Sequence, residues 1–300
     1  MVWLNSDVTG AFAPVSPYSL VSVIAMSTRA PWTGAGGGWT GPVLLAAIFM
    51  LPRLGAAETG AAAPACQPLP FASGIVGAIK DARTFVLADG REIRLAAIEV
   101  PAAGIAAQQA KERLERMLAG QTVLLKGLGP ERDRYGRLLA HVYIKADGVE
   151  RWIQADLVAS GNARVAAHVG ERSCAASLMA HERGARQAGL GLWSDPYYAA
   201  RRAEDPTSVA REQGRFAVVE GNVLTVRESG GTIYVNFGRR WSEDFTVTIA
   251  KRNERTFAAA GVDAKNLAGR RVRIRGWIEE RGGPWVEATR PEQIELVERR

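Results

Sequence analysis

Arg271, Arg273 and Arg275 alternate with Val272 and Ile274, so on a β-strand their three guanidinium groups share one face. Such a row can meet the phosphates of a single strand, and Tyr234, Trp241, Trp277 and Trp285 could stack its bases. The same residues equally suit a small barrel that buries its tryptophans and solvates its arginines. Metal chemistry has less to work with. His141, His168 and His181 show no ligand spacing, and two cysteines cannot complete a zinc site, so no metal site is read here. Cys66 and Cys174 either pair as a disulfide, the expectation for an exported chain, or stay buried as free thiols.

The elements that must position these residues are mostly strands. Apolar alternation predicts strands at 74–80, 84–87 and 92–98, with a hairpin signal at Asp89-Gly90, and further strands at 122–126 and 138–144. The period changes at 104–119, an amphipathic helix closed by Gly120, and helical spacing returns near 151–160 and 174–188. The expected fold is mainly β with α, an α+β chain: a five-stranded OB-type barrel with about three helices over 68–197. The charged stretch 198–215, with Pro206, reads as a linker or a short exposed helix. Strands expected at 217–226, 232–237, 244–249, 271–278 and 285–289, with a helix at 251–260, give a second, smaller OB-like barrel over 216–298.

Residues 1–57 read as an address. The apolar stretch 41–51 is too short to span a bilayer, which needs about 20 residues. Arg29 precedes it and Gly55-Ala56-Ala57 offers a cleavage site, so the expectation is an exported chain, periplasmic or secreted, with no transmembrane span once matured. A retained N-terminal anchor is the alternative. The full chain carries 38 basic and 31 acidic residues, a net charge of +7 that suits a polyanionic partner or a solvated surface.

Four segments give the chain a resemblance. They are Asp81-Ala-Arg-Thr84 with Asp89-Gly90; Arg94-Leu-Ala-Ala-Ile-Glu-Val-Pro101; Asp133-Arg-Tyr-Gly-Arg137; and Gly189-Leu-Gly-Leu-Trp193-Ser194. In order and spacing these resemble the staphylococcal nuclease (thermonuclease) family, which writes them roughly as DGDT, RLxGIDxPE, D(R/K)YGR and a terminal LW-S element. The resemblance implies an OB-type barrel and calcium-dependent hydrolysis of DNA and RNA. Two arginines would clamp the phosphate, two aspartates would hold calcium, and a glutamate after the proline would orient or activate water.

Carried over position by position, the arginines survive as Arg94 and Arg137, and Arg134 and Tyr135 survive beside the latter. The carboxylates do not fare as well. Asp81 remains, but Arg83 replaces one calcium-binding aspartate, Glu99 replaces the other, and Ala102 replaces the glutamate. Arg83 is expected to pair with Glu99 or Asp81, so that calcium, the cofactor expected for the family, is lost and no cofactor remains. The tyrosines that stack bases in the family correspond to Ala167 and Val169, with His168 between them. The function expected is that of a catalytically impaired nuclease homologue that binds, with single-stranded nucleic acid as the partner considered. The alternatives are an active phosphodiesterase with altered metal use, and a structural or partner-binding envelope protein.

Overall fold

The computed structural model describes residues 66–297; the expected leader, 1–57, lies outside them. Strands β1 (Leu69–Asp81), β2 (Thr84–Leu87) and β3 (Glu92–Leu95) form an antiparallel meander, followed by the short β4 (Ile98–Glu99) and helix α1 (Gly104–Leu118). Strand β5 (Thr122–Gly127) pairs with β1, and β6 (Leu138–Ala146) pairs with β5 and returns to β3 in parallel. The ring β1-β2-β3-β6-β5 is therefore closed, which removes the exposed edges an open sheet would leave. Phe85, Ile93, Val123 and Leu125 fill it, and α1 buries Ala110, Leu114 and Leu118, one side chain per turn.

The helix expected from 151 starts two residues later. Arg151 and Trp152 belong to β7 (Val149–Trp152), paired with Ile144 and Tyr143, and only then does α2 (Ile153–Ala159) begin. Strand β8 (Arg164–Val165) pairs with β4, and α3 (Arg172–Gln187) follows. Cys66 and Cys174 form a disulfide that ties the chain ahead of β1 to the first turn of α3. The Gly189–Ser194 segment docks on the end of α2, where Leu192 N–H donates to Gly161 O at 2.9 Å. A side chain at Gly191 would put its Cβ 2.5 Å from that same oxygen, and φ there is +52°, so only glycine fits.

Residues 198–215 are more than a linker. They contribute β9 (Arg201–Arg202) and α4 (Pro206–Ala210), whose N-terminus is capped by Asp205. The single strand expected at 217–226 is two, β10 (Phe216–Asn222) and β11 (Thr225–Ser229), because the chain turns a corner at Val223–Leu224 from one sheet to another. Next come β12 (Thr232–Asn236), β13 (Thr246–Ala250), α5 (Glu254–Ala259), β14 (Arg271–Trp277), β15 (Glu279–Arg281), β16 (Gly283–Glu287) and β17 (Ile294–Leu296). They make a four-stranded sheet, β17-β14-β10-β9, and a five-stranded sheet, β11-β12-β13-β16-β15. The two sheets enclose a core of their own that includes Ile233, Val235, Phe245 and Val247, and hydrogen bonds do not close them into one ring. The described residues, 66–297, fall within one compact unit, so this β-rich region packs on the barrel. Among the described residues no helix is long and apolar enough to cross a membrane.

Candidate functional site

A cavity of about 380 Å³ opens beside β3 and β4, walled by the 127–131 and 166–171 loops and by Trp277 from β14. Arg94, on β3, lines it. Its guanidinium has no hydrogen-bond or ion-pair partner among the described residues. Burial lowers its pKa from the ordinary arginine value, and the neighbouring cations Arg83 and Arg137 lower it further. Arginine remains a cation even so. Glu99 and Asp81 act on it in the opposite direction, and the half-buried guanidinium, with no protein hydrogen-bond acceptor, is left able to take an anion.

Arg83 sits in the turn after β1, where Asp81 Oδ1 accepts its backbone N–H at 2.8 Å. Its side chain reaches across to β4: Nη1 donates to Glu99 Oε2 at 2.6 Å and to Ile98 O at 3.2 Å. Both side chains are less than one-fifth exposed, at 19% and 18%, so little water screens the pair. This geometry bears on calcium, which takes six to eight oxygen ligands, usually with several carboxylates. Asp81 and Glu99 are each already acceptors for Arg83. Ala102 is exposed ahead of α1 and brings no oxygen. Among the described residues no three His, Cys, Asp or Glu side chains converge as ligands. The donor set does not fit calcium.

Arg137 is committed in its own turn. Its Nε and Nη2 donate to Asp133 Oδ2 at 2.7 and 2.6 Å, while Asp133 Oδ1 accepts the backbone N–H groups of Tyr135 and Arg137. Partial burial would raise the Asp133 pKa, but these hydrogen bonds and the Arg137 charge hold it below the usual carboxylate value. Gly136, at φ +80°, lets the turn close. Tyr135 projects outward, 69% exposed, with the guanidinium carbons of Arg134 and Arg137 5.1 and 5.0 Å from its ring centre.

The wall where the family's tyrosines would stand contains Ala167, His168 and Val169, and the indole of Trp277, 52% exposed, also lines the cavity. Its place beside this site was not legible, because 110 residues of chain separate it from Ala167 and only the packing joins them. No ligand spacing singles out His141 in the sequence, yet it too lines the cavity. It is 4% exposed, its Nδ1 has no partner, and burial pushes its pKa down to about 4.

The reading of Arg271, Arg273 and Arg275 as a strand-binding face is corrected. Arg275 is fully buried against α3, with Nη1 3.0 Å from Glu182 Oε2 and Nη2 3.3 Å from Glu295. Arg273 is held by Glu220 and Glu295, and Arg271 by Glu220. The Arg275 end of this face abuts the barrel while Arg271 stays exposed, and carboxylates take the places offered to phosphates.

Ala97, between β3 and β4, is strained. Its φ is +68°, in a region that disfavours a Cβ, and it occupies the glycine position of the RLxGID pattern. Hydrogen bonds hold it there: Ala96 N–H donates to Ala140 O and Ala166 N–H to Ala97 O. The motif contained the signal, an alanine where the pattern writes glycine.

Residues 92–195 match the family model described as staphylococcal nuclease homologue. No curated protein matches the chain. The matched span holds Arg94, Glu99 and Arg137, while Arg83 enters from the preceding strands of the same closed ring. With that match lying on a closed five-stranded barrel, the chain carries a staphylococcal nuclease-like domain whose site residues diverge from the family pattern.

Proposed function

We propose that this chain is an exported homologue of the nucleases that binds nucleic acid and has lost calcium-dependent hydrolysis. The observation that carries the reading is the Arg83–Glu99 contact at 2.6 Å, a fixed cation where the family pattern places a metal ligand. A guanidinium cannot shed its charge to readmit a dication. The absence of an acid at Ala102 removes the group that would orient or activate water, a loss of about 10²–10⁴ in rate by itself. What remains suits binding. Arg94 offers an unpaired cation to a phosphate, Arg134 and Tyr135 stand exposed nearby in the barrel, and Trp277 presents a ring at the same cavity. Export is supported by the apolar stretch 41–51 and by the disulfide, a bond that persists in oxidising compartments.

A nuclease assay titrated with calcium, on single-stranded DNA and RNA, tests the reading. The expected outcome is no calcium-stimulated cleavage by the wild type, and a gain of it in Arg83→Asp/Ala102→Glu. Oligonucleotide binding should weaken steeply with salt, as phosphate contacts release counterions, and Arg94→Ala should weaken it further. Calcium-stimulated cleavage by the wild type, abolished in Arg94→Ala, would establish an active phosphodiesterase instead. A flat salt response would point to a structural or partner-binding role.

A further inference from the structure

The five-stranded sheet of the C-terminal region turns Ile233, Val235, Val247 and Ile249 to its core. Its other face is a groove of about 560 Å³. Two cross-strand rows build the floor. Arg227 faces Tyr234, which faces Thr248, which faces Glu287; Thr225 faces Asn236, which faces Thr246, which faces Trp285. The second row is internally bonded, with Asn236 Nδ2 donating to Thr225 Oγ1 and Thr246 Oγ1 to Asn236 Oδ1, each at 3.3 Å. Side chains already bonded to one another in this row cost little to present to a ligand.

The exposed groups of the groove, at the ends of these rows and on the loops beside them, have a different chemistry. Trp241 is 72% exposed and Tyr234 37% exposed, large rings left in water. The exposed side chains of Arg227 and Arg239 have neither an ion pair nor a hydrogen bond among the described residues. Arg281 lies over the Trp285 ring, its guanidinium carbon 3.5 Å from the ring centre, with its nearest carboxylate, Glu279, 3.7 Å away. Three guanidinium groups line the groove against one carboxylate, Glu287.

We propose that this groove binds single-stranded nucleic acid, with Arg227 and Arg239 on its phosphates and Tyr234, Trp241 and the Arg281 guanidinium plane under its bases. The charge complements a phosphate backbone. The exposed rings need flat faces to cover them, and an unpaired strand offers one per nucleotide. A duplex keeps its base faces stacked inside and leaves these rings uncovered. This site lies on a different surface from the barrel cavity and shares no lining residue with it.

Fluorescence anisotropy of the disulfide-bonded chain with a labelled oligothymidylate of about ten nucleotides decides the matter. Trp241→Ala should weaken binding roughly 10-fold, within the range seen for loss of one stacked base. Arg227→Ala/Arg239→Ala should flatten the log–log salt slope by about 1.4, from about 0.7 per single-strand phosphate contact. Both effects should persist in an Arg94→Ala background. A matched duplex and an abasic strand of the same charge should bind more weakly. Groove variants that bind as the wild type does, or an abasic strand that binds as well as thymidylate, would overturn the proposal. Loss of all binding in Arg94→Ala, with no effect of groove variants, would sustain the barrel cavity alone. The reverse pattern would sustain the groove and remove the barrel cavity's role.

Discussion

Ala97 and His141 carry costs that can be measured one side chain at a time. Ala97 holds a left-handed backbone at about 1–2 kcal/mol, against roughly 0.8 kcal/mol gained by burying one carbon. Ala97→Gly also adds about 0.4–1 kcal/mol of unfolded-chain entropy, so the terms nearly cancel and stability, read from the urea midpoint, should stay within about 1 kcal/mol of the wild type. A loss of about 1–2 kcal/mol would mean that the left-handed backbone carries no strain to relieve. His141 binds fewer protons folded than unfolded, because its pKa falls from 6.5 to about 4. Its neutral form is fully accommodated above pH 6.5, and stability is then lost as the pH drops, until about pH 4. At about 1.36 kcal/mol per pKa unit, the loss approaches roughly 3 kcal/mol. His141→Leu should lose less stability than the wild type between pH 7 and pH 4, and parallel curves would assign the acid sensitivity to other groups. At this scale the sequence was informative where a motif supplied a reference. Arg83, Glu99 and Ala102 could be read against a pattern, whereas the burial of His141 depends on Trp152 and the 166–171 loop, which no spacing reveals.

Elements were legible where the hydrophobic period was clean and illegible where a strand served two sheets. Helix α1 follows its 3.6-residue pattern from Gly104 to Leu118 and ends before Gly120. Across Val223–Leu224 the apolar residues continue, so nothing local marks the corner; the break comes from Leu224 N–H donating to Asn236 and Val223 N–H to Arg270. The three-residue strands β15 and β17 are too short for an alternation to declare them. The Gly189–Ser194 segment, which matches the end of the family pattern, has a mechanical reason, the backbone approach between Gly161 and Gly191. Gly191→Ala should destabilise by more than the ~1–2 kcal/mol of its left-handed backbone, since the added carbon also meets Gly161 O. A thermal midpoint within one degree of the wild type would show that α2 and this segment can separate freely. The disulfide closes a loop of 108 residues, and its removal should cost about 2–5 kcal/mol, visible as a lower urea midpoint in Cys66→Ser/Cys174→Ser.

Across the whole molecule, the contact between the barrel and the C-terminal sheets is an ion network. Glu182 on α3 accepts Val165 N–H at 2.6 Å as well as Arg275 and Arg186, so its carboxylate is saturated without water. Burial would raise the Glu295 pKa, but the charges of Arg275 and Arg273 outweigh it and keep it below the ordinary value. The stability that Glu295 contributes is thus present above pH 4.5 and lost as the pH falls through its lower folded value. Arg275→Met should cost about 3–5 kcal/mol by stranding a buried carboxylate, and Arg275→Met/Glu182→Gln should recover part of that. A double-variant loss equal to the sum of the Arg275→Met and Glu182→Gln losses would mean the two charges are not coupled. Periodicity placed the three arginines on one face, but which surface that face meets is decided by Glu182, 93 residues away from Arg275. Arg164, which donates to Phe216 O, and Arg172, which donates to Ala259 O, add further links across the same seam. A fragment trimmed after residue 197 would therefore open Glu182 to water and leave the cleft without its tryptophan. Silence from such a fragment in a binding experiment would report the surgery, not the protein.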